Sequence, residues 1–218
     1  MLNMDFNKRA VIATGELAWQ DSPKPGVLRK PLAREEAERG HATSIVRYEP
    51  GAVFHAHNHP LGEEILVLEG TFSDETGDYH AGCYFRNPEG FRHAPFSEGG
   101  ALILVKLHQF QDGDVAHVTI QTDAANWQSD CRGIEVLSLH SFKEERVVLE
   151  RWSAGISAKR QASPGGEEIY VLKGALIDEQ GIYPAGTWLR NPKTAGNETG
   201  LASRVTEDTV IWIKSGHL

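Results

Sequence analysis

Cysteine is scarce in this 218-residue sequence, which contains only two, Cys83 and Cys131. They form no C-x-x-C pair, and this excludes both a disulfide framework and a cysteine-based zinc finger. We interpret both residues as small buried or half-buried hydrophobic side chains rather than as redox centres.

Long apolar runs and an excess of basic charge are also missing. No run of about 18 apolar residues occurs, and the first residues lack the apolar core of a signal peptide. The net charge of −8 and the pI near 5.7 argue against a broad electrostatic surface for nucleic acid or anionic lipid. We therefore expect a soluble, cytoplasmic protein that binds neither nucleic acid nor membranes.

Helical periodicity is almost absent, and short apolar runs separated by turn residues take its place. The chain has 22 glycines and 10 prolines. Ile65 to Leu68 and Ile169 to Leu172 are two such runs, rich in β-branched and aliphatic residues, and each ends close to a glycine. Many short strands with glycine and proline turns are typical of a sandwich or a barrel, so we predict an all-β fold.

An internal repeat divides the sequence into two copies. The segment EEILVLEGTFSDETGDYHAGCYFRNPEG begins at Glu63, and EEIYVLKGALIDEQGIYPAGTWLRNPKT begins at Glu167; the two align without gaps. These positions lie 104 residues apart, from 63 to 167. Upstream, Trp19 matches Trp127 at a slightly larger offset. A period of half the chain indicates a duplicated architecture.

We place the boundary between the two copies near Asp114, in a polar turn. The predicted domains are therefore 1–114 and 115–218, and each is long enough to bury a core of its own.

The first copy carries a set of potential metal ligands. His57 and His59 are two residues apart, so in a strand both side chains project to the same face. Glu63 follows across a short bend that contains glycine, and His93 comes from a later strand. Three neutral imidazoles and one carboxylate suit zinc, iron(II), manganese, nickel or copper. We predict that these four residues form a metal site.

The second copy has lost this set. The offset of 104 takes the four ligand positions to Gln161, Ser163, Glu167 and Asn197, so that only the carboxylate remains. Neutral oxygens replace the imidazole nitrogens, and tight binding of a transition metal is not expected there. We predict one metal ion per chain and a second barrel with a structural polar pocket, a small-ligand site being the alternative.

The spacing of the ligands and of the turn residues resembles the two signature motifs of the cupin superfamily. This resemblance implies tandem jelly-roll β-barrels, that is, a bicupin built from double-stranded β-helices, with the metal inside the first barrel. The segment SIVRYEPGAVFHAHNHPLGEEILVLEGTFSDETGDYHAGCYFRNPEG is further similar to the cupin-like domain of ChrR, an anti-sigma factor family. That cupin binds zinc, which implies Zn2+ here, with Fe2+, Mn2+ or Ni2+ as alternatives.

Anti-sigma factors of the ChrR type also have a helical N-terminal domain with a His and C-x-x-C zinc site that binds the sigma factor. This sequence has no C-x-x-C pair, so we do not expect direct inhibition of a sigma factor. We expect a monomer, in which the two barrels mimic a dimer, or a homodimer.

Two functions stay open at this point. One is a regulatory or sensory role in the response to oxidants or small molecules, with a ligand in the first barrel. The other is a metal-dependent dioxygenase of the cupin type that acts on a small diketone or a related oxygenated molecule. No residue outside the ligand set is recognisable from the sequence as a catalytic acid or base.

Overall fold

The computed structural model describes residues 1–36, 40–160, 163–193 and 202–218. Within these ranges the chain forms short strands, joined by turns and by two 3-10 helices, Thr14–Glu16 and Thr122–Ala124. No helix in this part of the chain has the length and apolar character needed to cross a lipid bilayer. The prediction of an all-β fold is confirmed.

The strands range from two residues, as in β2, to twelve residues in β7. The first thirteen are β1 (Ala10–Ala13), β2 (Gln20–Asp21), β3 (Val27–Arg34), β4 (Ala42–Tyr48), β5 (Ala52–Val53), β6 (His57–Asn58), β7 (Glu63–Asp74), β8 (Gly77–His80), β9 (Cys83–Asn87), β10 (Arg92–His93), β11 (Phe96–Ser97), β12 (Ala101–Leu107) and β13 (Val118–Gln121). The others are β14 (Gln128–Ser129), β15 (Glu135–Phe142), β16 (Glu145–Trp152), β17 (Ser157–Lys159), β18 (Glu167–Lys173), β19 (Ala175–Asp178), β20 (Gly181–Pro184), β21 (Thr187–Asn191), β22 (Ala202–Arg204) and β23 (Thr209–Ser215).

The first of two compact units comprises Met1–Met4 and Leu17–Ala125. Its main sheet has the order β13-β9-β7-β12-β4-β3-β2; β8 and β11 also pair with β7, β5 pairs with β11, and β6 and β10 form a separate ladder. Alternate side chains along these strands face inward and form the core. Ile65, Val67 and Ile103 are among its buried members.

The second unit comprises Asp5–Glu16 and Asn126–Leu218. It has one sheet in the order β1-β21-β18-β23-β16-β15-β14 and another in the order β17-β22-β19-β20. Its core contains Ile169, Val171 and Ile211, which lie on strands equivalent to those that build the first core. The repeat in the sequence is therefore a repeat of structure.

Each unit takes one edge strand from the sequence copy that builds the other unit. β1 pairs with β21, and β13 pairs with β9. These two strands are equivalent, because the offset that relates Trp19 to Trp127 also relates β1 to β13. The units therefore do not coincide with 1–114 and 115–218, which describe the duplicated copies; that domain division stays a prediction.

Candidate metal centre

The structure brings the four predicted ligands, His57, His59, Glu63 and His93, to one point in the first unit. Ligand nitrogens of the three histidines lie within 4.8 Å of one another, and Nε2 of His59 is 3.0 Å from Nε2 of His93. Oε1 of Glu63 is 3.5 Å from Nε2 of His59, and its Oε2 is 3.5 Å from Nε2 of His93. The carboxylate thus spans the two buried imidazoles.

Strand pairing accounts for the position of the histidines. His57 lies directly opposite His93 in the ladder between β6 and β10, with ring centroids 5.2 Å apart. His59 is two residues beyond His57, and its ring centroid lies 4.7 Å from that of His57. The two-residue spacing therefore does place both rings on one face.

A tight turn at Gly62 carries the chain from His59 into β7. The Gly62 N–H donates to the carbonyl oxygen of His59 at 3.3 Å. The φ of Gly62 is +75°, and a Cβ there would collide with the ring of Phe110. Only glycine meets both conditions without strain, and the turn leaves Glu63 facing the histidines as the first residue of β7.

In His57 and His93 a hydrogen bond at Nδ1 determines that Nε2 is the nitrogen free to bind a metal. Nδ1 of His93 donates to Oδ2 of Asp74 at 3.0 Å, and Nδ1 of His57 donates to the carbonyl oxygen of His55 at 2.9 Å. With the proton on Nδ1, the neutral ring presents an unprotonated Nε2, which is the form that binds a metal.

Asp74, which the sequence analysis missed, is held rigidly. Its side chain is fully buried, and its Oδ1 accepts the backbone N–H of Thr76 at 2.8 Å. The other oxygen is thereby directed at His93. The repeat gave no signal for this role, because the second copy keeps an aspartate, Asp178, at the equivalent position.

Asn87 supports the carboxylate in the same way and was also missed. Its Nδ2 donates to Oε2 of Glu63 at 3.2 Å. In the second unit the equivalent Asn191 donates to Oε1 of Glu167 at 2.7 Å. This amide–carboxylate pair is thus common to both copies, and sequence comparison between them cannot mark it as part of a metal site.

The protonation of the histidines follows from their surroundings. Burial lowers the pKa of His57 and of His59, because desolvation disfavours the imidazolium. Burial acts in the same direction on His93, but the hydrogen bond to Asp74 and the charge of Glu63 outweigh it, so that this pKa is raised. Burial would raise the pKa of Asp74, yet the hydrogen bond with His93 and others lower it overall. His57 and His59 are therefore neutral near pH 7.

The donor set fits a divalent metal ion. Bonds of about 2.1 Å to one ion place neighbouring ligand atoms about 3.0 Å apart at right angles and about 3.4 Å apart in a tetrahedron. The separations of 3.0 Å between the two Nε2 atoms and 3.5 Å between nitrogen and carboxylate oxygen are close to these values. His57, His59, Glu63 and His93 are therefore the residues that would hold such an ion.

A cavity of about 240 Å³ adjoins the ligands. His57, His59 and Glu63 form part of its wall. The rest of the wall is largely apolar and includes Val46, Tyr48, Phe54, Phe72, Ile103 and Val105. A small molecule in this cavity would touch three of the four ligands.

In the second unit a guanidinium lies beside the retained carboxylate. Nη2 of Arg160 is 2.7 Å from Oε2 of Glu167, and Nη1 is 3.3 Å from Oε1. Gln161 and Asn197, at two of the former ligand positions, lie outside the described residues. Arg160 was not predicted, since its counterpart in the first copy is Ala56. It neutralises the carboxylate that a metal would neutralise in the first unit.

One known protein family matches both halves of the chain. The family described as the ChrR cupin-like domain matches the chain twice, over residues 7–111 and 115–218. No curated protein sequence matches the chain.

Several solved structures share the fold. A candidate dioxygenase from Nostoc punctiforme superposes with a TM-score of 0.79 over 97% of this chain and 84% of its own, at 14% identity. The pirin YhhW from Escherichia coli, in complex with nickel(II), superposes with a TM-score of 0.72 over 95% of this chain and 98% of its own, at 13% identity. A variant of the oxalate decarboxylase OxdC from Bacillus subtilis superposes with a TM-score of 0.63 over 94% of this chain and 76% of its own, at 14% identity. The predicted tandem jelly-roll barrels are confirmed.

Proposed function

Because this chain belongs to the family of the ChrR cupin-like domain, we propose that it is a metal-binding bicupin with a regulatory or sensory role. In this proposal the signal is an oxidant or a small organic molecule that reaches the first barrel. The observation that carries the proposal is the convergence of His57, His59, Glu63 and His93 beside a cavity. Zinc is the proposed ion, with iron(II), manganese or nickel as alternatives.

The chain's own residues determine how the ion is presented. When bound, the ion supplies a Lewis-acid centre that can polarise an oxygen of a small molecule. Asp74 holds the ring of His93 in the required tautomer, and Asn87 holds the carboxylate of Glu63. The apolar part of the cavity wall excludes water and contacts the body of the ligand.

Elemental analysis of protein purified without added metal tests the metal site. We expect about one divalent ion per chain, because three histidines and the carboxylate of Glu63 converge at this site. The double variant His57→Ala, His93→Ala should lose the ion, and the exposed His80→Ala should keep it as a control. Stoichiometric metal in the double variant would contradict the assignment.

A metal-dependent dioxygenase acting on a small diketone is the second candidate. The cavity favours it, because three ligands lie in the wall and a substrate could reach the ion. The candidate dioxygenase among the structures of this fold is consistent with it. Oxygen uptake by iron(II)-loaded protein with 2,4-pentanedione separates the two functions. Sustained uptake with cleavage supports the enzyme, whereas stoichiometric zinc in the protein as purified, with no oxygen uptake after iron(II) loading, supports the regulatory role.

A further inference from the structure

Tyr48 is a buried donor directed at the cavity beside the metal ligands. It is 6% exposed, lines the cavity and packs edge-on against Phe72, with ring centroids 5.3 Å apart. Within the described parts of the chain its hydroxyl makes no hydrogen bond to another residue. The hydroxyl is not one of the fully buried polar atoms of the described residues, so a molecule in the cavity can reach it.

The second copy shows what happens at the same position without metal ligands. Trp152 is the equivalent of Tyr48, and Glu150 is the equivalent of Val46. The buried indole N–H of Trp152 donates to Oε2 of Glu150 at 2.9 Å. The second unit therefore satisfies its donor internally, whereas the first unit leaves its donor facing the cavity.

Tyr48 lies within electrostatic reach of the ligand carboxylate. Burial raises the pKa of Tyr48 well above its usual value, and the negative charge of Glu63 raises it further. The hydroxyl therefore stays protonated, and it can donate a hydrogen bond to an oxygen atom placed in the cavity.

We propose that the cavity binds a small oxo acid, with its carboxylate at the metal and its carbonyl oxygen hydrogen-bonded by the hydroxyl of Tyr48. This inference rests on the proposed metal site. A divalent ion held by three neutral imidazoles and the one carboxylate of Glu63 keeps a charge of +1 on its own ligand set, which Asp74 behind His93 offsets only in part; this favours an anionic group at the ion. Val46, Phe54 and Ile103 form the apolar wall along which the hydrocarbon segment lies.

Calorimetric titration of zinc-loaded protein with paired acids tests this proposal. The probes are pentanoate and hexanoate, and the oxo acids 2-oxopentanoate, 4-oxopentanoate and 5-oxohexanoate. We expect at least one oxo acid to bind about three- to tenfold more tightly than its parent acid, as one added hydrogen bond allows. Tyr48→Phe should remove this advantage and leave the affinity for the parent acid unchanged.

Tyr84→Phe is the matched control, because Tyr84 is fully buried in the same unit and is not among the described residues of the cavity wall. It should keep the advantage of the oxo acid.

A thermal melt gives a second measurement: Tyr48→Phe should melt no lower than the unmodified protein, since it removes a hydroxyl without a partner. A lower melting temperature would indicate a structural role instead.

The outcomes separate the two proposals. If zinc is bound but no oxo acid gains over its parent, or if the gain survives Tyr48→Phe, the role of Tyr48 is overturned while the metal site stands. If the protein binds no metal, the proposed function itself fails, and this inference fails with it.

Discussion

The hydrogen bond between Asp74 and His93 shows how a single residue prepares the metal centre. It joins Oδ2 of the carboxylate to Nδ1 of the ring at 3.0 Å, and both side chains are fully buried. A carboxylate in this position fixes the tautomer and the orientation of the ring and makes Nε2 a stronger base. In the proposed metal site, Asp74 would therefore raise the metal affinity without touching the ion.

Replacing Asp74 with asparagine should weaken metal binding by about 10- to 100-fold, because the amide oxygen still accepts the hydrogen bond but carries no charge. Competition with a chelator of known affinity measures the change. Asp178→Asn is the control, since Asp178 occupies the equivalent position in the second unit. Equal affinities of Asp74→Asn and the unmodified protein would show that the carboxylate has no such role.

The two cysteines differ in exposure, and their reactivity should differ with it. Cys83 is buried, as interpreted from the sequence, but Cys131 is exposed, so the same interpretation is wrong for Cys131. Burial raises the pKa of Cys83 to about 11. Only the thiolate reacts with disulfide reagents, so Cys83 should stay unreactive at pH 8. We expect one reactive thiol per native chain and two after denaturation. Rapid modification of native Cys131→Ser protein would contradict this expectation.

In the second unit, the guanidinium of Arg160 balances the charge of the Glu167 carboxylate. Their side chains are only 9% and 12% exposed, so Arg160→Ala should leave a nearly buried carboxylate without its cation. For a buried pair such a loss lowers the free energy of unfolding by about 3–5 kcal/mol. Urea unfolding measures it, and the double variant Arg160→Met, Glu167→Gln should recover most of the stability. A single variant as stable as the unmodified protein would refute this account.

At the scale of elements, strand β7 carries both a predicted metal ligand and a residue that supports another ligand. It begins at the ligand Glu63 and ends at Asp74, which holds His93 from the far side. One strand thus supplies both a ligand and a supporting residue. The turn at Gly62 directly precedes β7, so a change in the conformation of this turn would move the carboxylate of Glu63.

Gly62→Ala should therefore reduce both stability and metal affinity. Two effects combine, the left-handed φ of +75° and the collision of a Cβ with the ring of Phe110. Such backbone strain costs about 1–3 kcal/mol. Gly51→Ala is the matched control, because Gly51 has a φ of +80° but open space where an alanine Cβ would lie. A thermal melt and elemental analysis should show a larger loss for Gly62→Ala; equal losses would exclude a role for the clash.

The sequence predicted the local geometry at His57 and His59, and the cupin-like motif spacing supplied His93, whose position depends on the pairing of β6 with β10; it missed Tyr48 and Arg160. The spacing of His57 and His59 sufficed because alternation along a strand is a local property. Tyr48 faces the cavity because of the register of β4 with β12, where it pairs with Ala101, and one sequence does not reveal that register. Arg160 was missed because nothing in its neighbourhood predicts that it contacts Glu167.

At the scale of the whole molecule, the exchanged edge strands decide which fragments can fold. A fragment 1–114 lacks β13, so the edge of β9 would be unpaired and available for aggregation. A fragment 17–125 keeps that strand and nearly all of the first unit. We expect 17–125 to be monomeric with one metal ion and 1–114 to aggregate, as judged by size-exclusion chromatography and elemental analysis. A monomeric, metal-loaded 1–114 would disprove this.

Strand exchange also limits what evolution can remove from this gene. A deletion of the second copy would take β13 with it, and the barrel that holds the metal ligands would lose its edge. Selection for the proposed metal site would therefore retain β13, the first strand of the copy that lacks the ligand set. The constraint falls on the segment Val118–Gln121 and not on former ligand positions such as Ser163. The first unit thus depends on the second copy for a single strand.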